Sequence, residues 1–446
     1  MVEKKIDELL DRIKEKNSTI KVIVKKTPLN ECYNWFYDDS VGEIRTHNNS
    51  FFQIRGLRNY RNDKIIEQPI IIQNEIGYLG IIRKKIHGEL HYLMQYKIEP
   101  GNVNKVQISP TIQATLSNFT QAHGGKRPAY LDYFINASRY KEIVDQIQSE
   151  QSSRFLGKRN RNIIIELDEN EDIDVLPSHD WMTLSQIKKL MRYDNLVNMD
   201  TRTVLSCLPY SLWINDDFYL EEIKNTFSEE AMLRSVLYGD PKSTLPQIYQ
   251  YINNYKMFDD SKKELVPLFS LERWEMRDNE FVCKDPYSFK VVFCDIEIEG
   301  REVKHWCQPL FEATGIATFG LFTCIDDGIR KFLVKCRSEI GCFDKIELGP
   351  SVQREYISRE EKDIVDKLFD KKLESKENVL FDTLLSEEGG RFYCEQNRNV
   401  IIEINKDELN LPDGYYWCDY MTLNLLVQVN NTLNIQLRNL LSVLEF

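Results

Sequence analysis

The feature that most constrains this chain is that it contains itself twice. MQYKIEPGNVNKVQISPTIQAT, beginning at Met94, returns as VKCRSEIGCFDKIELGPSVQRE, beginning at Val334. The spacing of 240 residues holds without a gap from Gln68-Pro69 against Gln308-Pro309, through Gly80/Gly320 and Gly88/Gly328, to Gln113/Gln353. Upstream, TPLNECYNWF (27–36) aligns with VPLFSLERWE (266–275). Downstream, NRNIIIE (160–166) matches NRNVIIE (397–403), and RTVLSCL (202–208) matches RNLLSVL (438–444). A self-match of this length is the mark of a tandem duplication. It divides the chain into an N-terminal repeat (1–210), a connector (211–261) and a C-terminal repeat (262–446), each long enough to bury a core.

Within the repeat, SFFQIRGL, QPIIIQ, YLGIIRK, LHYLMQYKI and KVQISP are short runs rich in Ile, Val, Phe and Tyr, broken by Gly, Asn and Pro, and they predict strands. HGE at 87–89 and DDG at 326–328 predict hairpin turns. AYLDYFINASRYKEIVDQIQSE (129–150) places Leu131, Phe134, Ile143, Val144 and Ile147 near one helical face and predicts a long helix. Its counterpart SREEKDIVDKLF (358–369) is expected to start at a capping box of Ser358 and Glu361. Each repeat then closes with a strand and two short helices. The N-terminal MVEKKIDELLDRIKEKNS is amphipathic and helical, and the connector is helical and aromatic, suited to packing on a domain face or a second subunit. The class is α+β, helices packed on sheets.

The formal charge of -12 argues against a nucleic-acid binder, which needs clustered cations. No run approaches the 18 or so apolar residues of a membrane span. Ten scattered cysteines without a C-x-x-C pair or zinc spacing read as reduced thiols in the cytoplasm. Phosphate-loop, dinucleotide-binding, H-E-x-x-H and G-x-S-x-G motifs are missing, which removes the usual warrant for ATP, hydride-transfer, zinc-hydrolase or serine-esterase chemistry.

The two copies differ in an informative way. Glu99, Gly101, Pro110 and Gln113 recur as Glu339, Gly341, Pro350 and Gln353, so their first reading is architectural. His91, Gln95, Asn102, Asn104, Thr115 and Asn118 occur only in the first copy, and His123 has no counterpart, which makes the first copy the candidate for chemistry. Strand alternation puts His91, Leu93, Gln95, Lys97 and Glu99 on one face of HYLMQYKIE and Tyr92, Met94, Tyr96 and Ile98 on the other. A solvated sheet face and a binding surface both give that pattern.

The segment EQPIIIQNEIGYLGIIRKKIHGELHYLMQYKIEPGNVNKVQISPTIQATLSNFTQAHGG, followed by VNMDTRTVLSCLP from Val197, closely resembles the NDP-hexose 2,3-dehydratases of deoxysugar biosynthesis, and GREVKHWCQPL and the stretch ending in GPSVQ resemble that family's second half. Two departures stand out: DKIIEQP carries no Trp before its Gln-Pro, and SEIG replaces the family's PEPG. The resemblance implies a tandem pair of Nudix-like sheet-and-helix (α/β/α) domains, here without the Nudix metal box, and a reaction with no cofactor and no metal. It implies a substrate that is an NDP-4-keto-6-deoxyhexose, usually linked to dTDP, a 3,4-diketo-2,6-dideoxy product, a homodimer, and an NAD(P)H-dependent 3-ketoreductase as the following enzyme. The C-terminal repeat is then structural or a secondary nucleotide site.

Such a reaction needs a base at C3, an acid at the C2 oxygen and donors for the C4 oxyanion. His123 and Glu99 are the base and acid candidates, with His91 in reserve, and Lys97 is the candidate for the enolate, its other reading being an ion pair with Glu99. Gln95, Asn102, Asn104, Gln113, Thr115 and Asn118 are candidates for holding the sugar or nucleobase, and Tyr130, Phe51 and Phe52 for stacking. Arg159, Arg161 and Arg202 are candidates for the diphosphate, although Arg161 and Arg202 recur as Arg398 and Arg438, as structural salt bridges would. A non-catalytic nucleotide-sugar binder, or a 3,5-epimerase or 3,4-ketoisomerase acting on the same sugars, are the alternatives.

Overall fold

The computed structural model describes residues 6–61, 64–115, 127–299, 303–358 and 360–445. Helix α1 (Ile6–Thr19) buries Leu9 and Ile13, as its apolar spacing requires. The first repeat continues with β1 (Val22–Lys26), β2 (Trp35–Asp38), β3 (Glu43–Thr46), β4 (Gln53–Arg61) and β5 (Lys64–Ile72). Next come β6 (Gly77–Ile86), β7 (Glu89–Ile98), β8 (Val106–Ser109), β9 (Ile112–Ala114), α2 (Leu131–Ile135), β10 (Lys141–Ser149), β11 (Arg159–Leu167) and β12 (His179–Thr183). Helices α3 (Leu184–Leu190) and α4 (Met199–Ser206) close the repeat, and the connector supplies α5 (Asp217–Thr226), α6 (Glu230–Leu237) and α7 (Pro241–Phe258). The second repeat opens with β13 (Lys262–Val266), β14 (Trp274–Arg277), β15 (Glu280–Cys283), β16 (Phe289–Ile298) and β17 (His305–Ala313). It proceeds through β18 (Thr318–Asp326), β19 (Ile329–Arg337), β20 (Glu347–Pro350), β21 (Val352–Arg354) and α8 (Ile364–Ser375). It ends with β22 (Val379–Ser386), β23 (Gln396–Glu403), β24 (Tyr415–Asp419), α9 (Tyr420–Val427) and α10 (Ile435–Ser442).

The mixture is α+β, and each repeat forms one large and one small sheet. The large sheet of the first repeat runs β10-β11-β6-β7-β12, with β8 on β7 and β9 on β6; that of the second runs β20-β19-β18-β23-β22, with β21 on β18 and β24 on β19. The small sheets trade their opening strands. β1 pairs with β16 in register from Val22/Ile298 to Lys26/Cys294, while β13 pairs with β4 from Lys262/Tyr60 to Val266/Gly56. Neither repeat completes its small sheet from its own residues.

This exchange explains two repeated glycines. A side chain on Gly101 would lie 1.6 Å from the carbonyl oxygen of Phe392, and one on Gly341 would lie 1.8 Å from that of Phe155. Gly101 N–H donates to Gly389 O, and Gly341 N–H to Ser152 O, each at 2.7 Å. At both places the turn after a long hairpin strand rests backbone to backbone on the opposite repeat. Helices α4 and α10 also pack across the junction, wholly buried. The connector is clamped to both copies: buried Arg83 pairs with Glu166 at 2.6 Å and Glu222 at 3.6 Å, and Arg330 with Glu229 at 2.5 Å. It therefore packs on the faces of both repeats, its Tyr219, Phe227, Met232 and Ile248 joining a core shared by the two. Among the described residues no helix is long and apolar enough to cross a membrane.

Two expectations are corrected. Residues 129–150 form no long helix; α2 ends at Ile135, and Lys141–Ser149 is a strand antiparallel to β11. A register shift between Glu142 and Val144 disturbs the two-residue alternation, which made Ile143, Val144 and Ile147 look helical in spacing. Partner strand β11 decides the outcome, as tertiary pairing overrides local preference. In the second repeat the helix starts five residues later than expected for a Ser358 cap. Asp363 caps it, accepting from Val365 N–H and Asp366 N–H at 2.9 Å, with Asp366 completing the box. The expected hairpins form, with His87 and Gly88, and Asp327 and Gly328, all at positive φ.

Candidate active site

Strand β7 is buried on both sides. Tyr92, Met94, Tyr96 and Ile98 enter the shared core, while Gln95, Lys97 and Glu99 line a cavity of about 740 Å³ on the other face. Lys97 is 9% exposed and Glu99 7%, so this polar row is no solvated surface. Lys97 Nζ stands 3.4 Å from Glu99 Oε1, and Gln113 on β9 donates to the same oxygen at 3.3 Å. Removing one member of a buried pair of this kind costs about 3–5 kcal/mol, since the other charge is stranded.

The cavity belongs to both repeats. Its first-repeat wall includes His47, Phe51, Gln73, Tyr78, Gln113, Thr115, Lys158 and Asp200. The second repeat contributes Trp306, Gln308, Glu388, Gly390 and Arg391, brought in by β17 and by the loop between β22 and β23 that docks on Gly101. Arg391 lies over the Phe52 ring at 4.3 Å; its hydrogen bonds go to Gln73 Oε1 at 3.2 Å and Gly390 O at 2.7 Å, oxygens without formal charge. Lys158 donates to Glu75 O, and burial holds its pKa below the ordinary lysine value. The hydrogen bonds of both cations go to uncharged oxygens, which suits an anionic ligand, while Glu388 and Glu150 offset part of their charge.

Four carboxyl groups gather behind these cations. Burial, reinforced by neighbouring carboxylates, pushes Asp200 well above the usual aspartate range and raises Glu388. Glu150, which accepts from Asn160 Nδ2 at 2.7 Å, is raised by burial to about 7. Glu99 completes the group. The cavity thus holds proton donors and acceptors side by side, as acid–base chemistry requires.

Of the residues singled out from sequence, Gln95, Lys97, Glu99, Gln113, Thr115 and Phe51 meet at this cavity. His123 and Asn118 lie outside the described residues. His91 is not on the wall; its Nδ1 sits 3.0 Å from Glu89 O. Asn102 donates to Lys105 O at 3.1 Å, and Asn104 to Asp194 O at 3.0 Å, so both tie loops together. Tyr130 donates to Asp174 O at 2.7 Å, next to the wall residues Pro128 and Ala129. Phe52 lies behind Arg391. Arg159 stacks on Phe343 at 3.8 Å. Arg161 forms a two-pronged pair with Asp145, and Arg398 repeats it with Asp382. Arg202 is buried at the junction and donates to Ser386 O at 2.6 Å, while Arg438 donates to Ser149 O in the mirror-image place. These last two pairs carry the repeat symmetry.

His47, Lys158, Asp200, Glu388 and Arg391 escaped the sequence reading. A signal existed for some of them. Arg154-Phe155 recurs as Arg391-Phe392, and extending the alignment there sets Lys158 against Glu395 and Asp200 against Gln436. Nothing local marks Glu388 and Arg391 as belonging to the first repeat's cavity.

A family model described as NDP-hexose 2,3-dehydratase matches residues 6–208 and 245–444. The dTDP-4-dehydro-6-deoxy-alpha-D-glucopyranose 2,3-dehydratase of Saccharopolyspora spinosa is 38% identical over 431 residues, covering 94% of this chain and 87% of that protein. Proteins of the same description from Streptomyces violaceoruber and Amycolatopsis orientalis are 34% and 31% identical, over 96% and 95% of this chain and 94% and 86% of their own lengths.

Proposed function

The chain belongs to the NDP-hexose 2,3-dehydratase family, and from that premise we propose that it removes water across C2 and C3 of a dTDP-linked 4-keto-6-deoxyglucose, giving the 3,4-diketo-2,6-dideoxy sugar. The observation that carries the reading is the buried Lys97–Glu99 pair on the floor of a cavity walled by Lys158 and Arg391. The C4 ketone acidifies the C3 proton, so a carboxylate suffices as base and no cofactor is needed. Glu99 takes that proton. Lys97, within reach of the same oxygen, stabilises the charge that develops on the C4 oxygen. The electron pair of the enolate then forms C2=C3 as the C2–O bond breaks, and the resulting enol gains a proton at C2 and loses one from the C3 hydroxyl.

Arg391 and Lys158 hold the diphosphate, and Gln95, Gln113 and Thr115 position the hexose. Phe51, Tyr78 and Trp306 offer ring faces to the nucleobase. The product is a vicinal diketone, chemistry that an NAD(P)H-dependent 3-ketoreductase would consume next. The protein works as a homodimer in the cytoplasm, a compartment that suits its free cysteines.

Incubating the protein with the dTDP-linked 4-keto-6-deoxy sugar tests the activity. Loss of one water by mass spectrometry is the expected result. Unchanged mass with solvent deuterium at C3 or C5 would instead identify a ketoisomerase or epimerase, and an unaltered sugar a binding protein.

A further inference from the structure

We propose that Asp200 is the acid that protonates the departing C2 hydroxyl, an assignment that rests on the dehydratase reading above. Asp200 lies in the first turn of α4, two residues after the cap residue Asn198, whose side chain accepts from Thr201 N–H. The same Asn198 donates to Ser109 Oγ at 3.3 Å and Gln113 Oε1 at 3.4 Å, and Gln113 in turn donates to Glu99. One short hydrogen-bonded chain therefore fixes the start of α4 relative to the base. Asp200 is 1% exposed, lines the cavity, and its Oδ2 has no hydrogen-bond partner.

The second repeat shows what the fold itself requires. Asn434 caps α10 as Asn198 caps α4, and its side chain donates to Gln353 Oε1 at 2.8 Å, yet the next residue but one is Gln436. The frame is kept and the acid is not. The carboxyl is thus present only in the copy whose face lines the cavity.

Its surroundings hold the proton on. Glu388 from the second repeat's loop, Glu150 just after β10 and Glu99 just after β7 all press towards the neutral form, against Lys97 on β7. Arg202, on the same helix, also feels the carboxyl. The N-terminus of α4 favours the anion, but weakly compared with the cost of burying an ion. Asp200, facing Glu388 and Glu150, is thus held towards the protonated form that a proton donor needs, beside the Lys97–Glu99 pair.

In the proposed step Glu99 has already taken the C3 proton. The C4 oxyanion re-forms its carbonyl, the C3 electron pair closes C2=C3, the C2–O bonding pair leaves with oxygen, and Asp200 supplies the proton that makes the leaving group water. Asp200 ends as a carboxylate and regains a proton before the next turnover.

The experiment compares D200N with the unaltered enzyme on the 4-keto sugar and on its 2-deoxy-2-fluoro analogue, whose fluoride needs no protonation to leave. D200N should lose water elimination by about 10²–10⁴-fold, the usual worth of a general acid. It should keep deuterium exchange at C3 and fluoride release within about tenfold of the unaltered enzyme. Equal loss of both eliminations, or undiminished water elimination, would overturn the assignment. Should D200N not fold, the unaltered enzyme decides: water elimination must fall at alkaline pH while fluoride elimination does not, and a shared fall overturns the proposal. If the unaltered enzyme eliminates no water at all, the dehydratase reading itself fails.

Discussion

The two repeats keep the same hydrogen bond in the same place and surround it differently. Gln113 donates to Glu99 at 3.3 Å, and Gln353 to Glu339 at 3.0 Å. Around Glu99, Lys97 pairs with Glu99 itself, and Lys158 and Arg391 line a cavity. Around Glu339 the cations are matched one by one: Arg154 with Glu355 at 2.9 Å, Lys335 with Asp363 at 3.2 Å, and Arg337 with Glu360 at 3.7 Å. Glu355 stands where the first repeat has Thr115, and Asp363 comes from the cap of α8, where it also accepts from Tyr415 at 2.7 Å. The same duplicated frame thus borders a cavity in one copy and a set of ion pairs in the other. The comparison also warns against assigning roles by repeat alone, because Glu388 and Arg391 belong by sequence to the second copy and by position to the first copy's cavity.

The sharpest way to break this comparison is a matched pair of substitutions. Glu99→Gln should lower turnover by about 10²–10⁴-fold and abolish C3 deuterium exchange, while Glu339→Gln leaves both within a few-fold. Equal effects in a turnover assay would mean that both copies, or neither, do the chemistry. The equivalent arginines should separate binding from stability. Arg391→Ala is expected to weaken dTDP binding by about tenfold or more in calorimetric titration, through loss of a charge-assisted contact. Arg154→Ala should leave dTDP affinity unchanged and cost about 1–2 kcal/mol of stability in denaturant unfolding, because the partly exposed Glu355 loses its partner and Phe289 its stacked guanidinium.

The glycines sharpen the symmetric part. Gly101→Ala and Gly341→Ala should each destabilise by about 1–3 kcal/mol, since both push a methyl group into a carbonyl oxygen of the other repeat. Very different melting temperatures for the two would show that the junctions are not equivalent. A smaller effect concerns pH. Burial raises Glu339 and Glu347 from 4.5 to about 7, so the folded protein holds protons that the unfolded chain releases. Their contribution to stability is complete below pH 4.5 and is lost as pH rises through about 7. The melting temperature should therefore drift down across that window, and less steeply in the Glu339→Gln, Glu347→Gln double variant.

Much of the frame could be read from the chain. The five quoted strands form, the hairpin turns fall at His87-Gly88 and Asp327-Gly328, and alternation along β7 separates core from cavity residues. These features depend on short-range periodicity and on backbone conformations that few residues accept. The strand at Lys141–Ser149 was misread because a bulge mimics helical spacing. The candidate site was half legible. Gln95, Lys97, Glu99, Gln113 and Thr115 came from one strand face and its neighbour, whereas Arg159, Arg161 and Arg202 pointed elsewhere because a basic residue in sequence carries no sign of its partner.

By itself the sequence determined that there are two copies, where their strands run, and which side of β7 is polar, because self-similarity and two-residue alternation are properties of the linear chain. The tertiary structure alone decided that β1 and β13 change places, that a loop of the second repeat walls the first repeat's cavity, and that Asp200 lies buried among carboxylates. Burial and electrostatic coupling act through space between residues far apart in the chain, so no local pattern of residues encodes them.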